Sequence, residues 1–376
     1  MALHTNMTRR ANRPNTQPPL SGPMARYRML ICTGLAVAAC AILAGCKTPA
    51  VPEGTRLTDE ELSTLYQNAI DPRTASITTY ESAAGPVFNG ANRVHRGRQQ
   101  KLEFIEKEGS TLPVIHMSGR GGPLVALIDT SSFKSWANLD AASLLGLGML
   151  NPGDQTLATQ VVDAVPGYAG LADTVWFDKL RMESALFYLR AAKGSLGPLS
   201  RNLTDPAPQV VLGSDMISAW AFVQINWSAR TVVMSSTTPY RVDPNSMIVH
   251  LPLSYADGAM TVKGAINGVP TDIVIDTGGD YNLALPDPES ETVRQISIGD
   301  LVLRHVSCVP SDTMDFGHSD IPRVGVQMLS QFKVTFDNQG RGLYIERPDP
   351  VKKGGLLEKV RSYPGGTDSR GLRNIP

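Results

Sequence analysis

The chain has 376 residues, with 35 Lys and Arg balanced by 35 Asp and Glu and an apolar fraction of 42%. That length suits one large bilobal unit or two average domains. Zero net charge argues against a nucleic-acid partner, which normally requires a basic excess. The six histidines (His4, His95, His116, His250, His305, His318) show no metal-ligand spacing, and there is no C-x-x-C pair, G-x-S-x-G elbow or phosphate loop. No metal and no cofactor is expected.

Residues 1–28 are polar, with scattered arginines, and 29–43 form an apolar run flanked by Arg26 and Arg28. The run is shorter than the roughly 20 residues of a comfortable membrane span and has the length of a signal-peptide core. Leu43-Ala44-Gly45-Cys46 resembles a bacterial lipobox, so residues 1–46 read as a lipoprotein signal peptide with Cys46 as the site of lipid attachment. The alternative is a chance cysteine behind a plain secretory signal. Met24 would give a signal of more usual length, leaving the residues before it as a mis-assigned start. With Cys46 lipidated, Cys308 has no disulfide partner and reads as a buried structural thiol, His305 falling on the opposite face of its strand. Lys47 is not the aspartate associated with inner-membrane retention, which favours the outer membrane and a periplasmic face.

Residues 47–110 read as a tether and lead-in. Thr58-Asp59-Glu60-Glu61 is a capping-box pattern opening a short helix through about Ile70. From 71 to 109 the chain is polar and irregular, and the basic cluster between Arg93 and Lys101 reads as solvated surface, with contact to anionic lipid as the alternative. The first half, 111–235, opens with a strand at 113–118, a turn at 119–122 and a return strand at 124–128 that delivers Asp129. Asp140 then caps a helix at 141–145 that stops at Gly146. Residues 159–165 and 171–177 read as the arms of a hairpin around 166–170. Val210-Val211-Leu212-Gly213-Ser214-Asp215 follows, then strands at 222–227 and 231–234.

Residues 236–248 form a proline-containing linker. The second half, 249–347, repeats the plan: a strand at 260–266, an Asn267-Gly268 hairpin turn, and a return strand at 273–275 ending on Asp276. A hairpin-like piece at 296–303, Arg323-Val324-Gly325-Val326-Gln327, and strands at 332–336 and 342–345 complete it. The tail, 348–376, is polar and glycine-rich, and disorder is expected there. Each return strand ends abruptly on an acid and a small polar residue, exposing a carboxylate at a tight turn. Either triplet alone reads equally well as a strand followed by a turn. Five features repeated in one order go beyond chance.

The first half, with Ile128-Asp129-Thr130-Ser131-Ser132, the later Asp140 helix and Val211-Leu212-Gly213-Ser214-Asp215, resembles the retropepsin-type aspartic peptidases. The second half resembles another copy, so residues 111–347 look like a fused, pepsin-like arrangement. The resemblance implies an all-β bilobal fold, two retropepsin-type β-barrel lobes with a cleft between them, in a monomer. It implies Asp129 and Asp276 as the catalytic pair, with Thr130, Ser131, Ser132, Thr277, Gly278 and Gly279 in the supporting loops. Thr130 and Thr277 would brace the loops, Ser132 would bond the outer oxygen of Asp129, and Gly213 and Gly325 would pack beneath. A single flap over the cleft would have its tip near Gly167, Tyr168 and Gly170; an ordinary surface hairpin is the alternative.

Like charges about 3 Å apart cannot both ionise cheaply, so such a pair keeps one shared proton. One carboxyl can then take a proton from water while the other gives one to a peptide carbonyl. The expected function is therefore an aspartic endopeptidase acting on polypeptides in the bacterial envelope. Ser131, where the family has glycine, departs from the pattern: its side chain would crowd or strain the loop. That departure keeps open a catalytically inactive, peptide-binding envelope lipoprotein of the same fold.

Overall fold

The computed structural model describes residues 58–348, except 68, 83–84, 98, 106–109, 151–159, 163–164, 191–206, 257 and 312–319. The readings of the signal peptide, of Cys46 and of the tail beyond 348 fall outside the described residues. Thr58 caps helix α1 (Asp59–Tyr66): its hydroxyl accepts from Glu61 N at 3.2 Å while the Glu61 carboxylate accepts from Thr58 N at 2.9 Å. This is the reciprocal capping box, and the helix ends short of Ile70.

The stretch expected to be irregular instead holds β1 (Thr78–Ser82), β2 (Gly85–Asn89), β3 (Arg93–Val94) and β4 (Gln99–Glu103). Among the described residues, strands β1 and β2 pair only with each other, and β3 and β4 end larger sheets. Such edge strands bury little, Leu102 being the one buried residue of β4, so no apolar period marks them.

The first half continues with β5 (Val114–Gly119), β6 (Gly122–Ile128), β7 (Trp136–Ala137), α2 (Leu139–Leu145), β8 (Gly148–Met149), β9 (Gln160–Val162), β10 (Val165–Phe177), β11 (Leu180–Arg190), β12 (Val210–Leu212), α3 (Ser214–Ile217), β13 (Phe222–Asn226) and β14 (Thr231–Ser235). The second comprises β15 (Met247–Pro252), β16 (Ser254–Ala256), β17 (Ala259–Ile266), β18 (Val269–Ile275), β19 (Leu283–Leu285), β20 (Thr292–Ile298), β21 (Leu301–Pro310), β22 (Arg323–Val324), α4 (Val326–Leu329), β23 (Lys333–Asp337) and β24 (Gly342–Glu346).

The fold is all-β, with two closed six-stranded barrels. Around the first, the neighbours run β11, β7, β12, β6, β5, β10 and back to β11; around the second, β21, β19, β22, β18, β17, β20 and back to β21. Position for position the two rings follow the same path of the chain. Strands β6 and β18 each lie between an antiparallel hairpin partner and a parallel neighbour. Such interior strands are covered on both faces, which is why residues 124–128 form an unbroken buried apolar run. The turn between β17 and β18 is Asn267-Gly268, both with positive φ (52° and 85°), as a type I′ turn requires.

A third sheet, in the order β15-β24-β23-β13-β14-β4, takes three strands from before residue 236 and three from after it, and β13 meets β23 at its centre. The expected boundaries therefore shift. Strand β4 comes from the segment read as lead-in, and β15 begins at Met247, inside the segment read as linker. The cap of α2 also differs from expectation. Asn138, extended at φ −83° and ψ 173°, accepts from Ala141 N at 2.8 Å, and Asp140 lies within the first turn. The helix ends as expected at Gly146, in the left-handed conformation.

Candidate active site

Strands β6 and β18 end at Ile128 and Ile275, and β12 and β22 fix where the following loops go. Asp129 N donates to Leu212 O at 3.0 Å, and Asp276 N to Val324 O at 2.9 Å. Beyond each parallel strand the chain turns at a glycine into a short helix. Ser214 N then donates to Ser132 O at 2.7 Å, and Val326 N to Gly279 O at 2.8 Å. Gly213 and Gly325 are needed for close approach: a Cβ would stand 2.8 Å from Ser132 O at the first and 2.7 Å from Gly279 O at the second. Both segments lie directly beneath the aspartate loops.

The loops are tied to each other across the two halves. Thr130 N donates to Thr277 Oγ1 at 3.1 Å, and Thr277 N to Thr130 Oγ1 at 3.3 Å. The hydroxyls donate in turn to the opposite strand ends, Thr277 Oγ1 to Ile128 O at 2.8 Å and Thr130 Oγ1 to Ile275 O. All of these groups are buried, so none has water as an alternative partner, and the brace holds the loops at one spacing.

Gly278 borders both carboxyls. Its N–H donates to Asp276 Oδ1 at 2.9 Å, while a Cβ on it would lie 2.6 Å from Asp129 Oδ2. Asp129 and Asp276 are 1% and 3% exposed. Burial, and then the Asp276 charge, push the Asp129 carboxyl up to about 7, against the opposing effect of the Ser131 and Ser132 hydrogen bonds.

The bonding of the two acids is unequal. Asp129 Oδ1 accepts from Ser131 N (2.9 Å), Ser131 Oγ (2.7 Å) and Ser132 N (3.2 Å), while Oδ2 has no hydrogen-bond partner among the described residues. Ser131 therefore adds a donor, and its backbone is not among the residues with positive φ, so the strain expected of it is absent. Ser132 Oγ donates to Lys134 O at 2.7 Å, and the expected bond to the outer oxygen of Asp129 is not made. On the other side, the Tyr281 hydroxyl donates to Asp276 Oδ2. Tyr281 forms no part of the motifs read from the sequence. Its only signal there is an aromatic residue five positions after Asp276, beyond two glycines.

A further, half-buried acid lies behind the first loop. Asp215 Oδ1 accepts from Ser135 Oγ at 2.7 Å and from Met216 N at 2.8 Å, and burial raises its pKa to about 6. Nearby, Lys134 Nζ sits 4.1 Å from the centre of the Phe133 ring and 5.0 Å from that of Tyr188, and burial lowers its pKa.

The structure does not place a turn at 166–170. Gly167, Tyr168 and Gly170 are continuous strand within β10, paired with Arg190, Leu189 and Phe187 of β11. Buried Tyr168 packs against Met149 and Leu189. Packing and a full ladder override the turn-forming Pro and Gly residues of this stretch. Strand β9 pairs with β10, Val162 opposite Val165, and residues 163–164 fall outside the described residues. Cys308 is buried and unpaired, with Sγ donating to Ser290 O at 3.0 Å, and His305 is exposed.

Among the described residues no group of three or more His, Cys, Asp or Glu converges, and no helix is long and apolar enough to cross a membrane. No family model matches the chain, and comparison with curated proteins finds no match.

Proposed function

We propose that this chain is an aspartic endopeptidase, hydrolysing peptide bonds of polypeptides with one proton shared between Asp129 and Asp276. One observation carries the reading: equivalent loops of two barrels bring two buried carboxyls up against Gly278, and the Thr130–Thr277 brace locks the loops together. Buried like charges cannot both persist, so the pair retains one proton. The ionised carboxyl takes a proton from water, whose oxygen adds to the peptide carbonyl carbon while the protonated carboxyl gives its proton to the carbonyl oxygen. Return of a proton to the amide nitrogen lets the C–N bond break. Anchored through Cys46, the enzyme would face the periplasm from the outer membrane and act on envelope polypeptides.

The near-complete burial of both carboxyls favours a second reading, in which the same fold binds peptides without cleaving them. The full chain in detergent, incubated with an unfolded polypeptide between pH 4 and 7, separates the two. We expect cleavage that falls by about 100-fold or more in Asp129→Asn and in Asp276→Asn. Equal cleavage by parent and variants would defeat the proposal, and peptide binding without turnover would establish the alternative.

A further inference from the structure

We propose that Tyr281 is the positioning residue that divides the work of the pair: its hydroxyl holds Asp276 as the ionised partner, so the retained proton resides on Asp129 Oδ2 and Asp276 is the base toward water. This rests on reading Asp129 and Asp276 as a proton-sharing pair.

The donors around the two acids are distributed as two different protonation states require. A carboxylate is acceptor-only and is stabilised by donors on both oxygens, whereas a carboxylic acid carries its proton on one oxygen and accepts on the other. Asp276 has the first pattern, with Gly278 N on Oδ1 and Tyr281 Oη on Oδ2. Asp129 has the second, with three donors on Oδ1 and none on the buried Oδ2 among the described residues. A proton on that oxygen turns an orphaned acceptor into a donor.

Tyr281 is built into place. Its ring is wedged between two glycines: a Cβ at Gly279 would stand 2.6 Å from the ring carbon that bears the hydroxyl, and one at Gly325 2.7 Å from Cδ2. Three charged or titratable groups act on Tyr281: Asp276 of its own loop, buried Arg323 of β22 and Asp129 of the opposite loop. Burial and Asp276 hold its phenol far above the ordinary range, so the hydroxyl keeps its proton and donates it to the carboxylate.

The internal repeat supplies a control. Lys134 follows Asp129 at the same spacing and lies over Gly213 as Tyr281 lies over Gly325, yet its ammonium sits over the rings of Phe133 and Tyr188. The two-fold plan of the loops is broken at this position, as it is where Ser131 faces Asp129 and Gly278 faces Asp276.

The full chain, labelled with [4-13C]aspartate and studied in detergent, reports each carboxyl directly, with signals assigned through Asp129→Asn and Asp276→Asn. We expect a protonated Asp129 beside an ionised Asp276 near pH 5.5, and in Tyr281→Phe a loss of that asymmetry at the same pH, with proton occupancy appearing on Asp276. A proton on Asp276 in the parent, or a Tyr281→Phe spectrum whose two carboxyl signals match the parent's, overturns the assignment. Should that variant fail to fold, the parent spectrum decides alone. Two carboxyls ionised independently at pH 5.5 would instead refute proton sharing itself. The expected spectrum in a chain that cleaves nothing would uphold Tyr281 and refute the peptidase reading.

Discussion

Ser131 occupies a position where its side chain was expected to be a burden and is instead a hydrogen-bond donor. Its hydroxyl, 2.7 Å from Asp129 Oδ1, favours the ionised form of an acid that burial otherwise keeps protonated. Removing that donor while keeping the N–H should therefore raise Asp129 further. In Ser131→Gly we expect peptide cleavage to persist and the alkaline limb of its pH–rate profile, set by loss of the Asp129 proton, to move up by about one unit. A limb moving down would reverse the assigned role of the hydroxyl. The sequence identifies Ser131 as a departure without indicating its sign, since that depends on which carboxyl oxygen lies within reach. Tyr281 was missed for a related reason. No spacing rule links an aromatic residue to a carboxylate five positions earlier, and only the gap left by Gly279 and Gly325 brings them together.

At the level of elements, legibility follows burial. Strand β6, the buried Ile273–Ile275 end of β18 and the Asn267-Gly268 turn could be read because covered strand segments are continuously apolar and a type I′ turn needs particular residues. The edge strands β1 to β4 were not readable, because a strand with one neighbour and little buried surface carries no apolar period. The stretch 166–170 misled in the opposite direction, its proline lying opposite Val161 of β9 and residues 167–170 being absorbed by a ladder to residues 187–190 of β11. Helix α2 offers a quantitative check. If Asn138 is the cap, Asn138→Ala should lower unfolding stability by about 1 kcal/mol. Asp140→Ala, which removes only a first-turn charge on an exposed residue, should cost about half that or less. Urea denaturation of the two variants decides between them, and a larger loss in Asp140→Ala would reinstate the original cap.

For the molecule as a whole, two barrels share one six-stranded sheet and meet at the aspartate loops, so the protonation of buried acids is linked to global folding. Asp129 and Asp215 are raised in the folded chain, to about 7 and about 6, chiefly by burial, against about 3.9 for an unfolded aspartate. Between those values the native state holds protons that the unfolded chain has released. Stability then falls as pH rises, at up to about 1.4 kcal/mol per pH unit for each group. The contribution is fully present below about pH 4 and is lost as pH climbs through 6 and 7. Asp129→Asn and Asp215→Asn, which cannot ionise, remove one such slope each. Thermal unfolding measured from pH 4.5 to 7.5 should show the parent losing stability relative to either variant as pH rises, with the Asp129 difference continuing to the higher pH. Parallel curves for parent and Asp129→Asn would mean that the folded chain does not hold Asp129 protonated, leaving the pair without its shared proton.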